Sequence, residues 1–151
     1  IAAELAAHLK ARGKTLLDRL EELWVQHGFY ATSQVATTLA GIEGRKTIER
    51  IMQSLRHDTI SAIAGSPVVQ MVDLEASENE LGPANVLQWD LEDGSRVIFR
   101  PSGTEPKLKA YLETRASVEG SELSDAKDKA MARLDELRQW VKDTVARRGS
   151  S

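Results

Sequence analysis

The chain has 151 residues, room for one domain of ordinary size or a small domain with a piece of a neighbour, and a large multidomain machine is excluded. Apolar residues make up 41% and charged residues 28%, the balance of a chain that buries a core, and the lack of any cysteine removes disulfides, thiol nucleophiles, iron-sulfur clusters and thiolate zinc sites. The net charge of -3 disfavours binding to nucleic acid, which needs a basic surface to displace counterions, whereas a small phosphorylated ligand needs only one local cluster of donors and cations. No apolar run approaches the roughly 18 residues that span a bilayer. The start Ile1-Ala2-Ala3-Glu4 has no initiator methionine and no signal-peptide pattern, so a soluble, cytoplasmic protein without membrane or nucleic-acid partners is expected.

Ile1, Leu5, His8 and Leu9 fall near one helical face with no capping residue before them, so the chain reads as cut within a helix. A basic break from Lys10 to Lys14 surrounds Gly13. Thr15 then serves as N-cap for a second helix, with Leu16, Leu17, Leu20, Leu23 and Trp24 at helical spacing, ending near Gly28. His27 in its last turn reads as a dipole-compatible helix end, since no second histidine lies at metal-binding spacing.

From Phe29 to Leu39 the texture turns to aromatic, Ser, Thr and Val residues, which predicts a strand and places a domain boundary just before it. Ile48, Ile51, Met52 and Leu55 mark a helix between Gly44 and Asp58, and Gly65-Ser66-Pro67 is expected to close the following loop. Val68 to Leu74 reads as a strand, Glu75 to Asn85 as a polar loop with a Gly82-Pro83 turn. Asn85–Leu91, Ser95–Arg100 and Lys107–Thr114 are too close for helical crossovers and predict an antiparallel meander. Leu123, Ala126, Ala130, Leu134, Leu137, Val141 and Val145 step by three and four residues, predicting a helix that covers one sheet face. Arg147-Arg148-Gly149 is expected as its flexible cationic end and Ser150-Ser151 as a disordered tail.

The register of one hairpin follows from burial. A two-residue Asp93-Gly94 turn would set Leu87 and Leu91 opposite Arg100 and Arg96, and bury two charges. A three-residue loop, Glu92-Asp93-Gly94 with Gly94 left-handed, pairs Trp89 with Val97 and Leu87 with Phe99, and faces Asp90 toward Arg96. The second register gathers Leu87, Trp89, Val97, Phe99, Leu108, Ala110 and Leu112 under the helices. Arg96, Arg100, Lys107, Lys109 and Tyr111 go to the other face.

Between the last two strands runs Arg100-Pro101-Ser102-Gly103-Thr104-Glu105-Pro106-Lys107. Two prolines stiffen this loop, and Gly103 permits backbone angles closed to other residues. Its N–H groups, the Ser102 and Thr104 hydroxyls, the Arg100 fork and a point charge from Lys107 or Lys109 together suit a phosphate dianion. Glu105 is expected to orient Arg100 or Lys107. On composition and spacing alone the loop reads first as a stiff surface turn whose Ser, Gly, Thr and Pro serve turn chemistry.

The string Arg100 to Lys107, continued by Leu108-Lys109-Ala110-Tyr111-Leu112-Glu113, closely resembles the C-terminal signature of the α-D-phosphohexomutases, the phosphoglucomutases and phosphomannomutases. The helix Leu16 to Trp24, His27-Gly28-Phe29-Tyr30 and Leu91-Glu92-Asp93-Gly94 are similar to the same region of bacterial members. The resemblance implies an α+β fold, an antiparallel sheet of about four to five strands with helices on one face, like the TATA-box-binding protein. It implies that residues 1–28 are the last helices of a third domain and residues 29–151 the fourth. Such enzymes pass a phosphoryl group between a phosphoserine and a hexose phosphate through a hexose 1,6-bisphosphate intermediate, with magnesium at the phosphoserine. Their fourth domain holds the phosphate that is not reacting; Arg100, Ser102, Gly103 and Thr104 match that loop, and Lys107 and Lys109 match adjoining basic positions.

The sequence has no serine in the phosphoserine context, no Asp-Gly-Asp-Gly-Asp metal loop and no Gly-Glu sugar loop of the third domain. The chain is therefore expected to be a C-terminal portion of an isomerase of this kind, inactive alone, working with the other domains on a hexose phosphate. The competing expectation is a stand-alone module that binds a phosphorylated ligand or a partner without catalysis.

Overall fold

Alternating apolar and polar residues from Leu87 to Thr114 build a sheet with one dry face. The computed structural model describes residues 1–76, 82–119 and 122–150. The elements run α1 (Ala2–Lys10), α2 (Leu16–His27), β1 (Phe29–Thr38), α3 (Gly41–His57), β2 (Ala62–Ile63), β3 (Ser66–Asp73), β4 (Leu87–Leu91), β5 (Arg96–Pro101), β6 (Lys107–Ala116) and α4 (Leu123–Gly149). All pairings are antiparallel, in the order β1-β6-β5-β4-β3-β2, so β4 to β6 form the expected meander, β3 extends it beside β4 and β1 adds itself beside β6. This is an α+β fold.

The hairpin takes the register that buries apolar partners. Trp89 lies opposite Val97, Leu87 opposite Phe99 and Asp90 opposite Arg96. Leu91 N–H donates to the Ser95 carbonyl (2.9 Å) and Gly94 N–H to the Leu91 carbonyl (3.0 Å), leaving Glu92-Asp93-Gly94 as the loop with Gly94 at φ 80°. All seven residues assigned to the helix-covered face are buried. Ile48, Ile51, Met52 and Leu55 of α3 and Ala130, Leu134, Leu137, Val141 and Val145 of α4 close over them. Trp89 and Phe99 meet edge to face at 5.9 Å, a geometry that suits the ring quadrupoles.

Helix α2 begins at a capping box. Asp18 N–H donates to Thr15 Oγ1 (3.1 Å) and Thr15 N–H to Asp18 Oδ2 (2.7 Å), which satisfies two donors that a helix start leaves open. The helix docks on the body through Trp24 against Phe29 (centroids 5.0 Å apart) and through Lys127, which lies over Trp24 and pairs with Glu21. His27 ends the helix, and its carbonyl accepts from Arg115 Nη2 (3.1 Å).

Two expectations are corrected. The sheet has six strands, one above the expected four to five, because Ala62–Ile63 pairs with Ser66–Pro67; a two-residue strand is too short to carry a periodic signal. Its turn is Ala64-Gly65, both at positive φ (46° and 80°), so Ser66 and Pro67 belong to β3 and not to the loop. Arg147, Arg148 and Gly149 form the expected cationic end of α4, and Arg148 pairs with Asp58 (2.6 Å) and bonds Ser54, which ties that end to α3. Ser150 follows as the C-cap. Of the loop expected over Glu75–Asn85, residues 77–81 lie outside the described residues, as does Ser151.

Candidate anion site on the open sheet face

Because Val97, Phe99, Leu108, Ala110 and Leu112 point into the core, the strand period sends their neighbours to the opposite, helix-free face. Three rows cross β5 and β6 there: Arg96 opposite Glu113, Ile98 opposite Tyr111, and Arg100 opposite Lys109. The first row is electrically balanced. Arg96 Nε donates to Asp90 Oδ1 at 2.5 Å, and this bond, with the nearby Asp90 and Glu113 charges, raises the guanidinium's pKa. The third row is not balanced. Arg100 is exposed and Lys109 half-buried, and among the described residues neither side chain has a hydrogen bond or ion pair. On the other side of Lys109 stands Ala36 of β1, which brings no carboxylate. Two like charges face each other across a strand pair, an arrangement unfavourable to the sheet itself.

The loop after Arg100 is braced from within. Ser102 N–H donates to the Lys107 carbonyl (2.8 Å), Lys107 N–H to the Glu105 carbonyl (2.8 Å), and Glu105 N–H to Ser102 Oγ (3.4 Å). Among the described residues the N–H groups of Gly103 and Thr104 donate to nothing. Glu105 meets Lys107 Nζ with both carboxylate oxygens, at 3.0 and 3.1 Å, so of its two expected partners it orients Lys107. Lys107 thus enters the site already paired, unlike Arg100 and Lys109.

Gly103 makes no use of the left-handed angles open to it, and a Cβ there would meet nothing within 4 Å. The free fold makes no demand for glycine at this position.

The sequence reading missed Arg45. Its Nη2 donates to the Thr104 carbonyl at 3.3 Å, and Leu39 N–H donates to the Pro106 carbonyl at 2.9 Å, so the start of α3 props the loop from behind. Arg45 lies 59 positions from Thr104 in sequence, and only the β1–β6 pairing brings them together.

The structure is thus an open-faced α+β domain whose bare sheet surface carries an unneutralised cationic row beside a braced loop. The family described as phosphoglucomutase/phosphomannomutase, C-terminal domain, matches residues 45–136, and the chain belongs to it. Over 133 residues it is 35% identical to a probable phosphomannomutase of Haemophilus influenzae, covering 88% of this chain and 25% of that protein. Over 115 residues it is 36% identical to a phosphoglucomutase of Staphylococcus haemolyticus, covering 69% and 21%. Among solved structures it resembles the open form of the exocytosis-sensitive phosphoprotein pp63/parafusin, a phosphoglucomutase from Paramecium (15% identity, TM-score 0.46, 91% of this chain and 25% of that one). The chain spans between a fifth and a quarter of the length of these curated relatives.

Proposed function

We propose that this chain is the phosphate-gripping domain of a phosphohexomutase, holding the phosphate of a hexose phosphate that is not being transferred. The observation that carries the reading is the Arg100–Lys109 row, two cations paired across β5 and β6 without a counter-ion among the described residues. Arg100 offers a planar fork to two phosphate oxygens and Lys109 a point charge. The N–H groups of Gly103 and Thr104 and the hydroxyls of Ser102 and Thr104 complete the shell, while Lys107 stays at the rim, held by Glu105. Proline rings and the three internal hydrogen bonds hold these donors in place before the ligand arrives, so little ordering remains to be done on binding. Gripping the remote phosphate orients the sugar, and binding energy spent far from the reacting atoms lowers the barrier to transfer elsewhere in the parent enzyme.

In this reading residues 1–28 are the last helices of a preceding domain. Its support is that α2 buries no residue, while Leu16, Leu17 and Val25 stand exposed, as expected of a helix whose apolar side belongs to another unit. The phosphoserine and a magnesium ion are assigned to the rest of the enzyme. Among the described residues no group of three His, Asp or Glu side chains could hold a cation.

The test is substitution of Arg100 in the intact parent enzyme. Alanine is expected to lower kcat/KM by the equivalent of roughly 2–5 kcal/mol, the usual cost of stranding a desolvated charged partner, with lysine falling between alanine and wild type. Phosphorylation of the active serine in the resting enzyme should persist in both variants. A near-normal kcat/KM for Arg100→Ala would reject the clamp and leave the loop as a structural turn.

A further inference from the structure

The two edges of the sheet are built differently. The edge beyond β3 is shielded: β2 pairs with its start, Pro67 there has no N–H to offer, and the ladder to β4 shifts register between Val68 and Gln70. Prolines, bulges and charges are the usual means by which an edge strand is kept from pairing with another chain. The edge beyond β1 has none of them. Its ten residues run in unbroken register with β6, without proline, and the sequence from Phe29 to Ile42 carries no charged side chain.

The direction of the β1 backbone groups follows from one hydrogen bond. Leu39 N–H donates to the Pro106 carbonyl (2.9 Å), and these two residues continue the register that sets Thr38 opposite Lys107. Bonded and non-bonded pairs alternate along an antiparallel ladder, so residues 29, 31, 33, 35 and 37 bond to β6. Tyr30, Thr32, Gln34, Ala36 and Thr38 therefore turn their N–H and carbonyl groups to the free edge, and among the described residues none of these groups has a partner.

We infer that this edge docks a second copy of the chain, β1 pairing antiparallel with β1 about a two-fold axis at Gln34. That register lays Thr32 opposite Ala36 and Tyr30 opposite Thr38, so the donors and acceptors of one edge meet the acceptors and donors of the other. Because even-numbered residues meet even-numbered residues, the helices of both copies stay on one side, and the bare face continues across the axis instead of being covered. The strand is its own complement. A residue on the axis faces itself, which disfavours a charge, whereas the Gln34 amide both donates and accepts. A second copy thus satisfies the whole edge with one segment, as a closed two-fold contact requires.

Sedimentation of the chain from micromolar to millimolar concentration is expected to show a reversible equilibrium between monomer and dimer. In the dimer the amide protons of Thr32, Gln34 and Ala36 should exchange with solvent about tenfold more slowly than in the dilute monomer, while those of Ala31, Ser33 and Val35, bonded to β6, are slow in both. Gln34→Pro removes an edgeward N–H and no bond to β6, and Gln34→Lys sets two like charges on the axis. Both variants should stay monomeric across the range, with the wild-type circular dichroism spectrum and the wild-type protection at 31, 33 and 35. Should Gln34→Pro lose that spectrum, Gln34→Lys and the wild-type exchange pattern decide. A chain that stays monomeric at millimolar concentration overturns the inference. So does a dimer that persists in Gln34→Lys or leaves the amides of 32, 34 and 36 unprotected, since either result puts the contact on another surface, such as the exposed side of α2.

Discussion

Gly44→Ala should unseat the loop from a distance. A Cβ built on Gly44 falls 1.7 Å from the Leu39 carbonyl oxygen and 2.3 Å from its carbon, both backbone atoms that no rotamer change can move aside. Alanine in a helix is favoured over glycine by about 1 kcal/mol, so the helix itself gains. Forcing an extra carbon into a packed site costs about 1–3 kcal/mol, and more where backbone must shift, so the clash outweighs the gain and the net loss is expected at roughly 1–2 kcal/mol. The strained segment is the one that holds the candidate site. Leu39 N–H supports the Pro106 carbonyl, and Arg45, next to Gly44, supports the carbonyl of Thr104. The variant is therefore expected to lose both stability in urea and affinity for inorganic phosphate, with the amide signals of 102–106 shifted although residue 44 touches none of them. Unchanged stability and unchanged loop signals would refute the reasoning, because they would mean that Leu39 moves away at no cost and does not position the loop.

Gly103→Ala is the complementary variant: with no atom within 4 Å of the added carbon and no left-handed φ, it should leave stability unchanged or raise it by about 0.4–1 kcal/mol, yet weaken phosphate binding; retained binding by calorimetry would show that nothing approaches the loop there. Arg133 donates to the Ile63 and Ala64 carbonyls (3.2 and 2.6 Å) and to Asp93 Oδ2 (2.6 Å), so Arg133→Ala should cost roughly 1–3 kcal/mol in a denaturation midpoint without altering phosphate affinity. Asp93 should govern part of the acid sensitivity: burial pushes its pKa up, but the Ser95 N–H, the Ser95 hydroxyl and Arg133 outweigh this and hold it below the ordinary value of 3.8. A carboxyl whose pKa is depressed on folding contributes stability that is present above pH 3.8 and is lost as pH falls through its folded pKa, so denaturation midpoints should drop below about pH 4. Asp93→Asn should flatten that drop, and an unaltered acid profile would remove Asp93 from the account.

Much of this architecture is local and therefore legible in the chain. Thr15 and Asp18 stand three apart and cap their own helix, and the step of α4 from Ala126 to Val145 announces its buried side. The β4–β5 register follows from one choice, whether Leu87 and Leu91 face apolar residues or arginines, and that choice also sends Arg100 and Lys109 to one face. The loop string carried the family, because stiff prolines, hydroxyls and a glycine at set positions form a chemical unit within a few residues. Tertiary structure decided what depends on distant partners. Strand β2 exists only because Ala64 accepts positive φ in a turn braced by Arg133, and Arg45 reaches Thr104 only because β1 pairs with β6. Gly103 shows the division within one residue: its identity suggested backbone freedom, whereas the fold places it in ordinary angles with open space in front of it. Which cations are spent was likewise undecidable from the string, since Lys107 and Lys109 look alike in sequence. A carboxylate two positions away neutralises the first, while the strand partners of the second are alanine and arginine.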